Sequence, residues 1–350
     1  MTETLVSAEE WSQGLAPGVQ ISVRDLKIAL TLRGEPERLL VKGISFDIRH
    51  GETLCLVGES GCGKSVTSLA LMGLLSPPLR LAGGRILLRE GEKAVDLATL
   101  PARGKRYRDI RGRLMSMIFQ EPMTSLNPVH TNGAQITEVI RQHTGASRAE
   151  ARKRMLDLMT LVGIPSPEIR AKQYPHQLSG GMRQRIMIAM ALACEPGFLI
   201  ADEPTTALDV TIQAQILQQI RRLARERDTA TLFITHDLGV VAQLADTVQV
   251  MYLGEVVERG SAQDVFKRPA HPYTRGLLAS LPSLTPGRSG LKDVEPIPGS
   301  VRDIPQNPSA CPFQLRCGFS QPRCADSMPP RIALSESHTV RCWLQEPGNA

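Results

Sequence analysis

Apolar and polar residues alternate along residues 21–57, first at Val23, Leu26 and Ile28 and then at Ile44, Phe46 and Ile48, as in antiparallel strands that bury one face. The alternation gives way to Thr53-Leu54-Cys55-Leu56-Val57, whose unbroken apolar character predicts a strand buried on both faces. A helix is predicted over 65–75, interrupted only by Gly73 and stopped by Pro77-Pro78. Between Gln120 and Leu178 the chain is mostly polar, with helical spacing at Met155, Leu158, Met159 and Val162, and reads as an inserted helical subdomain. Two further buried strands are predicted at 198–201 and 231–235, each ending in polar residues. The expected fold class is α/β, with three strand ends opening onto one edge of a mainly parallel sheet, where ligands of open α/β sheets bind.

After about residue 265 the texture changes. Thirteen of the 25 prolines lie in the last ninety residues, which argues against long helices there. A chain of 350 residues, 42% of them hydrophobic, can build one large domain or two ordinary ones. Its longest apolar run, 186–194, has nine residues, against the roughly 18 to 20 that cross a bilayer, so no membrane span is expected. The first residues lack a basic segment followed by an apolar core, and a cytoplasmic location is expected. Net charge is +6, from 41 basic and 35 acidic residues. The basic residues are dispersed, the densest run (103–113) reads as a solvated loop, and the charge does not single out nucleic acid as a partner.

Candidate chemistry begins where the strand at 53–57 meets Gly58-Glu59-Ser60-Gly61-Cys62-Gly63-Lys64-Ser65. This string fits G-x-x-x-x-G-K-[ST] on a strand-to-helix turn, with Val66 following in the helix. Gly58, Gly61 and Gly63 let the backbone curl close to phosphates, and the helix N-terminus adds partial positive charge. Lys64 supplies charge to the β- and γ-phosphates and Ser65 a hydroxyl to Mg²⁺. Cys62 stands at a position the motif leaves free. Asp202 and Glu203 end the strand at 198–201, His236 follows the one at 231–235, and Gln120 follows Met117-Ile118-Phe119. A second anion site is predicted at Leu178-Ser179-Gly180-Gly181-Met182-Arg183-Gln184-Arg185, where Ser179, Gly180 and Gly181 precede an apolar helix. In isolation, adjacent acids also suit an ordinary turn and a strand-end His is more often structural; their order in the set gives them their roles.

This ordered set closely resembles the ATP-binding cassette (ABC) ATPases. The resemblance implies an ABC-type nucleotide-binding domain, a P-loop NTPase that binds ATP through residues 58–66 and hydrolyses it with Mg²⁺. It assigns Ser65, Gln120 and Asp202 to Mg²⁺, Glu203 to the attacking water and His236 to the γ-phosphate, so that Lys64, Gln120, Glu203 and His236 form the catalytic set. Asp209, in Pro204-Thr205-Thr206-Ala207-Leu208-Asp209, falls in the family's D-loop. Head-to-tail dimerisation is also implied, with ATP between the Lys64 loop of one chain and Ser179, Gly180, Gly181 and Gln184 of the other. One departure concerns adenine, which the family stacks on an aromatic side chain from the early strands. No aromatic residue lies between Trp11 and Phe46, and Leu30 or Arg38 is the expected substitute.

The cassette fold also powers DNA-repair, chromosome-organising and translation proteins. The 113 residues between Ser65 and Ser179 cannot hold a long coiled coil, each motif occurs once, and there is no Cys-x-x-Cys finger. More positively, the segments Phe119-Gln120-Glu121-Pro122-Met123-Thr124-Ser125-Leu126-Asn127-Pro128 and Pro204 to Thr211 resemble the ATPase subunits of bacterial dipeptide and oligopeptide importers. His271-Pro272-Tyr273-Thr274 with Leu277-Leu278 resembles the start of that subfamily's C-terminal extension. The implied organisation is an N-terminal tail (1–20), an ABC ATPase domain (21–265) with its helical subdomain (121–178), and a Pro/Cys-rich extension (266–350). The implied partners are a second, related ABC ATPase subunit, two transmembrane permeases and, indirectly, a periplasmic solute-binding protein. The chain is then peripheral, at the cytoplasmic face of the inner (plasma) membrane, where ATP hydrolysis powers uptake of dipeptides or oligopeptides. The same machinery importing nickel, glutathione or another small solute is one alternative; a soluble ABC ATPase acting on nucleic acid is another.

Four of the seven cysteines crowd into the last forty residues, at Cys311, Cys317, Cys324 and Cys342. In a cytosolic chain such crowding points to metal before disulfide. Spacings of five, six and seventeen residues are wider than those of paired zinc ligands, and leave zinc, iron–sulfur and unligated thiols open. Extensions of this type in the resembled importer ATPases carry a [4Fe–4S] cluster, onto which all four cysteines map. Its expected role is to staple a Pro-rich segment too small for a core of its own.

Overall fold

The computed structural model describes residues 15–121, 125–205, 210–280, 297–300 and 309–346. The described strands are β1 (Val19–Leu30), β2 (Arg38–Arg49), β3 (Thr53–Val57), β4 (Leu79–Glu90), β5 (Lys93–Asp96), β6 (Met115–Ile118), β7 (Phe198–Asp202), β8 (Ala230–Thr235), β9 (Thr247–Tyr252), β10 (Glu255–Ser261), β11 (Ile332–Ala333) and β12 (Thr339–Val340). They form an antiparallel sheet in the order β2-β1-β4-β5 and an eight-stranded sheet in the order β11-β12-β10-β9-β3-β8-β7-β6. From β6 to β9 the larger sheet is parallel, as expected.

Each central strand is divided between two cores. On β3, Leu54 and Leu56 face the core shared with the antiparallel sheet, while Cys55 and Val57 face the core under the helices. Ile200, Leu232 and Ile234 follow the first pair; Leu199 and Phe233 follow the second. Burial on both faces is what an unbroken apolar run supplies. In β1, Val23 and Leu26 stand three positions apart yet both are fully buried. The register with β2 shifts between them, and Asp25, at φ 46°, takes up the extra residue as a bulge.

Helix α1 (Lys64–Leu71) stops short of the expected end at 75. Gly73 turns into the left-handed region (φ 61°), and a Cβ there would stand 2.6 Å from the Tyr107 ring, so the turn comes before the two prolines are reached. In the stretch expected to form a helical subdomain lie α2 (Asn132–Thr144), capped by Thr131, and α3 (Arg148–Leu161), whose Ser147 and Glu150 form a capping box. Met155, Met159 and Val162 are buried, as their spacing predicts. They pack with α4 (Gly180–Leu192) in the same core. The parallel strands β7 and β8 bracket α5 (Val210–Glu226), and β8 is followed by α6 (Leu238–Leu244).

Beyond residue 265 the longest described helix is α7 (Pro272–Ala279), of eight residues. The C-terminal segment continues the eight-stranded sheet: β12 pairs with β10 through Glu258↔Val340 and Arg259↔Thr339, and β11 pairs with β12. Glu258, whose side chain is fully buried, anchors this edge. It accepts hydrogen bonds from the backbone N–H of Ala270 (2.8 Å) and His271 (2.9 Å) and contacts Nε2 of His338 at 2.8 Å. Among the described residues no helix is long and apolar enough to cross a membrane.

Candidate functional site

The loop at 58–63 leaves the buried strand β3 and enters α1 at Gly63. Gly58 is required by its surroundings, since a Cβ there would lie 2.2 Å from the carbonyl oxygen of Met251 on β9. Lys64 is 5% exposed, and its Nζ donates to the carbonyl oxygens of Gly58 (2.7 Å) and Glu59 (2.9 Å). The ammonium is thereby held inside the curl of the loop. Cys62 packs beneath the loop, and burial raises its thiol pKa and keeps it neutral. Ser60 and Gly61 are exposed at the mouth, and Val66 lines the cleft that the loop opens onto.

Strand ends bring the acids to the same cleft. Asp202, 4% exposed, accepts from Ser65 Oγ at 3.1 Å and from Ser68 Oγ at 2.8 Å. Burial pushes its pKa up, against the pull of the two hydroxyls. Glu203 begins the turn after β7 at φ 45°, with its N–H bonded to the carbonyl of Ile234 at 2.9 Å. Its carboxylate accepts from Gln120 Nε2 at 3.1 Å and lies 3.1 Å from His236 Nδ1. The residue after His236, Asp237, caps α6 by accepting from the N–H groups of Gly239 and Val240. Of the expected residues, Lys64, Ser65, Gln120 and Glu203 line one cleft, and Asp202 and His236 join it through Ser65 and Glu203 respectively. Ser68 was not foreseen, although it stands one turn after Lys64 on the same face of α1.

The residues expected to form a second anion site lie elsewhere. Ser179 caps α4 by accepting from the Met182 N–H at 3.3 Å, and Ser179 and Gly180 are exposed. A Cβ on Gly180 would meet nothing within 4 Å. Gly181 is half-buried, and neither these residues nor Gln184 lines the Lys64 cleft. Gln184, expected with the exposed signature, is instead 2% exposed and bonds the Pro204 carbonyl, tying α4 to the turn after β7. Asp209 lies outside the described residues, as do 206–208. The apolar side chains lining the cleft are Leu40 on β2 and Val66 on α1. Leu30 and Arg38, the expected substitutes for an aromatic residue, pair with each other at the end of the β1–β2 ladder nearest Leu40, and neither lines the cleft.

The four C-terminal cysteines carry no disulfide. Cys311 is joined to Cys324 by a backbone hydrogen bond of 2.9 Å. Burial, reinforced by the neighbouring thiols of Cys324, Cys342 and Cys317, pushes the Cys311 thiol up to about 11. The four are thus neighbours, yet among the described residues no three His, Cys, Asp or Glu side chains converge as they would around one metal ion. The metal site expected at Cys311, Cys317, Cys324 and Cys342 is therefore not seen as a formed group.

Comparison with known proteins agrees with this geometry. Residues 41–206 match the ABC transporter family, and residues 257–324 match the oligopeptide/dipeptide transporter C-terminal region. The dipeptide transport ATP-binding protein of Bacillus subtilis is 51% identical over 327 residues, covering 93% of this chain and 95% of that protein. The oligopeptide transport ATP-binding protein of the same organism is 49% identical, covering 93% and 89%. Among solved structures, a dimeric ATP-binding cassette in a post-hydrolysis state, bound to ADP and Pi, superposes with a TM-score of 0.61. It is 26% identical and covers 69% of this chain and 98% of its own.

Proposed function

This chain belongs to the ABC transporter ATPases of the dipeptide and oligopeptide type, and from that premise we propose that it is the ATP-hydrolysing subunit of a bacterial inner-membrane importer for dipeptides and oligopeptides. The observation that carries the reading is the joining, in one chain, of an ABC cassette to the oligopeptide/dipeptide C-terminal region, at 51% identity to a dipeptide transport protein across nearly its whole length.

The chemistry follows from the side chains. Backbone N–H groups of the 58–63 loop and the α1 N-terminus receive the phosphates, and Lys64 turns its ammonium from the loop carbonyls toward them. Ser65 and Asp202 offer hard oxygen donors, which suit Mg²⁺; bound there, the ion neutralises phosphate charge. Glu203 orients and deprotonates the attacking water, Gln120 holds the outer carboxylate oxygen, and His236 meets the γ-phosphate. Ser179, Gly180 and Gly181, exposed on α4, close over the nucleotide of a second ATPase subunit. ATP joins the two cassettes and hydrolysis parts them, a switch driven by the γ-phosphate. The second cassette is a related chain, and the pair works on two permeases at the cytoplasmic face of the membrane, fed by a periplasmic solute-binding protein.

Cys311, Cys317, Cys324 and Cys342 are proposed to hold a [4Fe–4S] cluster. A cubane takes one thiolate per iron, and the crowding of four cysteines into one C-terminal segment supplies that number. A cluster held there would tie residues 311–342 together, adding to the β12 pairing and the His338 and Arg316 contacts that join this segment to the rest of the chain.

The test is reconstitution in vesicles with the cognate permeases and receptor. ATP hydrolysis and uptake are expected to rise with dipeptide-loaded receptor. Stimulation by nickel or glutathione, with none by peptide, overturns the substrate assignment.

A further inference from the structure

The side chain of Glu59, in the phosphate loop, is clamped by a residue 257 positions away. Arg316 donates from both terminal nitrogens to the Glu59 carboxylate, at 2.7 and 2.9 Å. Its side chain is 4% exposed. Its Nε donates to the carbonyl of Pro298 at 2.7 Å, and one terminal nitrogen also reaches the Tyr252 hydroxyl at 3.3 Å. Such a two-pronged guanidinium–carboxylate pair constrains direction as well as distance. Tyr273 adds a second hold, its hydroxyl accepting the Glu59 backbone N–H at 2.8 Å. The third polar group of this residue, its carbonyl, receives Nζ of Lys64 at 2.9 Å.

Both clamping residues come from the C-terminal segment, and they are locked to each other. The rings of Tyr252, Tyr273 and Phe313 pack with centroids 4.7, 5.2 and 5.4 Å apart. Phe313 accepts the backbone N–H of Arg316 at 3.0 Å. Arg316 directly precedes Cys317, and Cys311 opens the same turn, tied to Cys324. An unbroken chain of contacts therefore runs from the cysteine segment through Arg316 to Glu59, and from Glu59 to Lys64.

We propose that Arg316 and Tyr273 are positioning residues for the phosphate loop, through which the folded C-terminal segment sets the affinity of the cassette for ATP. The proposal rests on the assignment of residues 58–65 to the phosphates. The physical basis is pre-organisation: a loop held in its binding form loses no affinity to alternative forms, and one that is competent a tenth of the time binds about tenfold more weakly. The chemical step at saturating ATP starts from the bound, ordered loop, so the effect falls on KM.

The experiment uses the full-length chain, with ATP hydrolysis measured over a range of ATP concentrations and a fluorescent ATP analogue as the binding probe. Tyr273→Phe keeps the aromatic packing and removes only the hydroxyl; Arg316→Lys keeps charge and loses the fork. Each is expected to raise KM and the probe's Kd by roughly three- to tenfold, with kcat little changed. A merely structural role would lower the active fraction, and hence kcat, at constant KM. Should Arg316→Lys fail to fold, Glu59→Gln, at a side chain 30% exposed, reads the same link from the other end. Combined with Tyr273→Phe it tests both holds on one residue. Unchanged KM in Tyr273→Phe and in Glu59→Gln overturns the proposal. Lys64→Ala separates the underlying reading: if that variant binds the probe normally, the loop assignment itself is wrong, whereas loss of binding there with unchanged KM in the others defeats the clamp alone.

Discussion

Nδ1 of His236 lies 3.1 Å from Oε1 of Glu203, while the other oxygen of that carboxylate accepts from Gln120 at the same distance. Both oxygens are thus held by side chains from different strand ends. The residue that carries them has φ 45°, a conformation costing about 1–3 kcal/mol that persists only where the surroundings enforce it.

Glu203→Gln keeps the shape of this arrangement and removes the base. ATP hydrolysis is expected to fall by about 10²- to 10⁴-fold, with ATP affinity unchanged and the ATP-bound pair of cassettes accumulating. Steady-state hydrolysis beside equilibrium binding checks it. Near-normal turnover would remove Glu203 from the reaction.

Gly180→Asp tests the exposed end of α4. Space is open around Gly180, and an acid in the first turn of a helix is favourable by about 0.3–1 kcal/mol, so the Tm of the isolated chain is expected to hold or rise. A carboxylate facing a partner's γ-phosphate repels it, and hydrolysis by the assembled transporter is expected to fall by half or more. Full turnover with an unchanged Tm would mean that Ser179 and Gly180 face no nucleotide.

Why these predictions were partly legible in the sequence is a matter of distance along the chain. The strand at 53–57 and the loop after it are consecutive, so periodicity and residue type suffice to place Lys64 and Ser65. Asp202, Glu203 and His236 are placed by the strands they terminate or follow, because parallel pairing brings the C-terminal ends of β3, β7 and β8 to one edge of the sheet. Contacts between segments leave no such local pattern. Leu40 lines the cleft because β2 crosses behind Gly63 and Gly254, and nothing in its neighbours announces that. Arg316 meets Glu59 across 257 positions. The short strands β11 and β12 have two residues each, too few for alternation to be read. In α1 the pattern was read one turn too far, because the Tyr107 ring that excludes a side chain from Gly73 comes from another part of the chain.

His271 gives a prediction in pH. Burial, with a smaller contribution from Arg275, lowers its pKa from 6.5 to about 3. Its Nδ1 accepts from the Tyr273 N–H at 3.0 Å, capping α7, and its own N–H is held by Glu258. The folded state keeps this ring neutral, while the unfolded chain takes up a proton below 6.5. Stability is therefore full above pH 6.5 and is lost as pH falls toward 3, with this one group contributing a slope of up to about 1.4 kcal/mol per pH unit. His271→Asn preserves a capping side chain that does not titrate. Denaturant midpoints between pH 7 and 4 are expected to fall less steeply in the variant. An identical slope in both proteins would show that His271 is not the group responsible.

Iron analysis decides the fate of the four C-terminal thiols. Burial comes first among the causes raising the pKa values of Cys311, Cys317 and Cys342, so in the apo form they remain protonated, and loading a cluster must release protons. Anaerobic purification is expected to yield a brown protein with about four irons and four sulfides per chain. The Cys311→Ser, Cys317→Ser double mutant should be colourless. Because the ligands span residues 311–342, across segments joined to the cassette by β12, Arg316 and Glu258, loss of the cluster is expected to lower Tm and loosen the C-terminal segment before the cassette unfolds. Iron-free protein with four reactive thiols overturns the cluster. So does stoichiometric zinc, which would require the four sulfurs to close on one point from the arrangement described above.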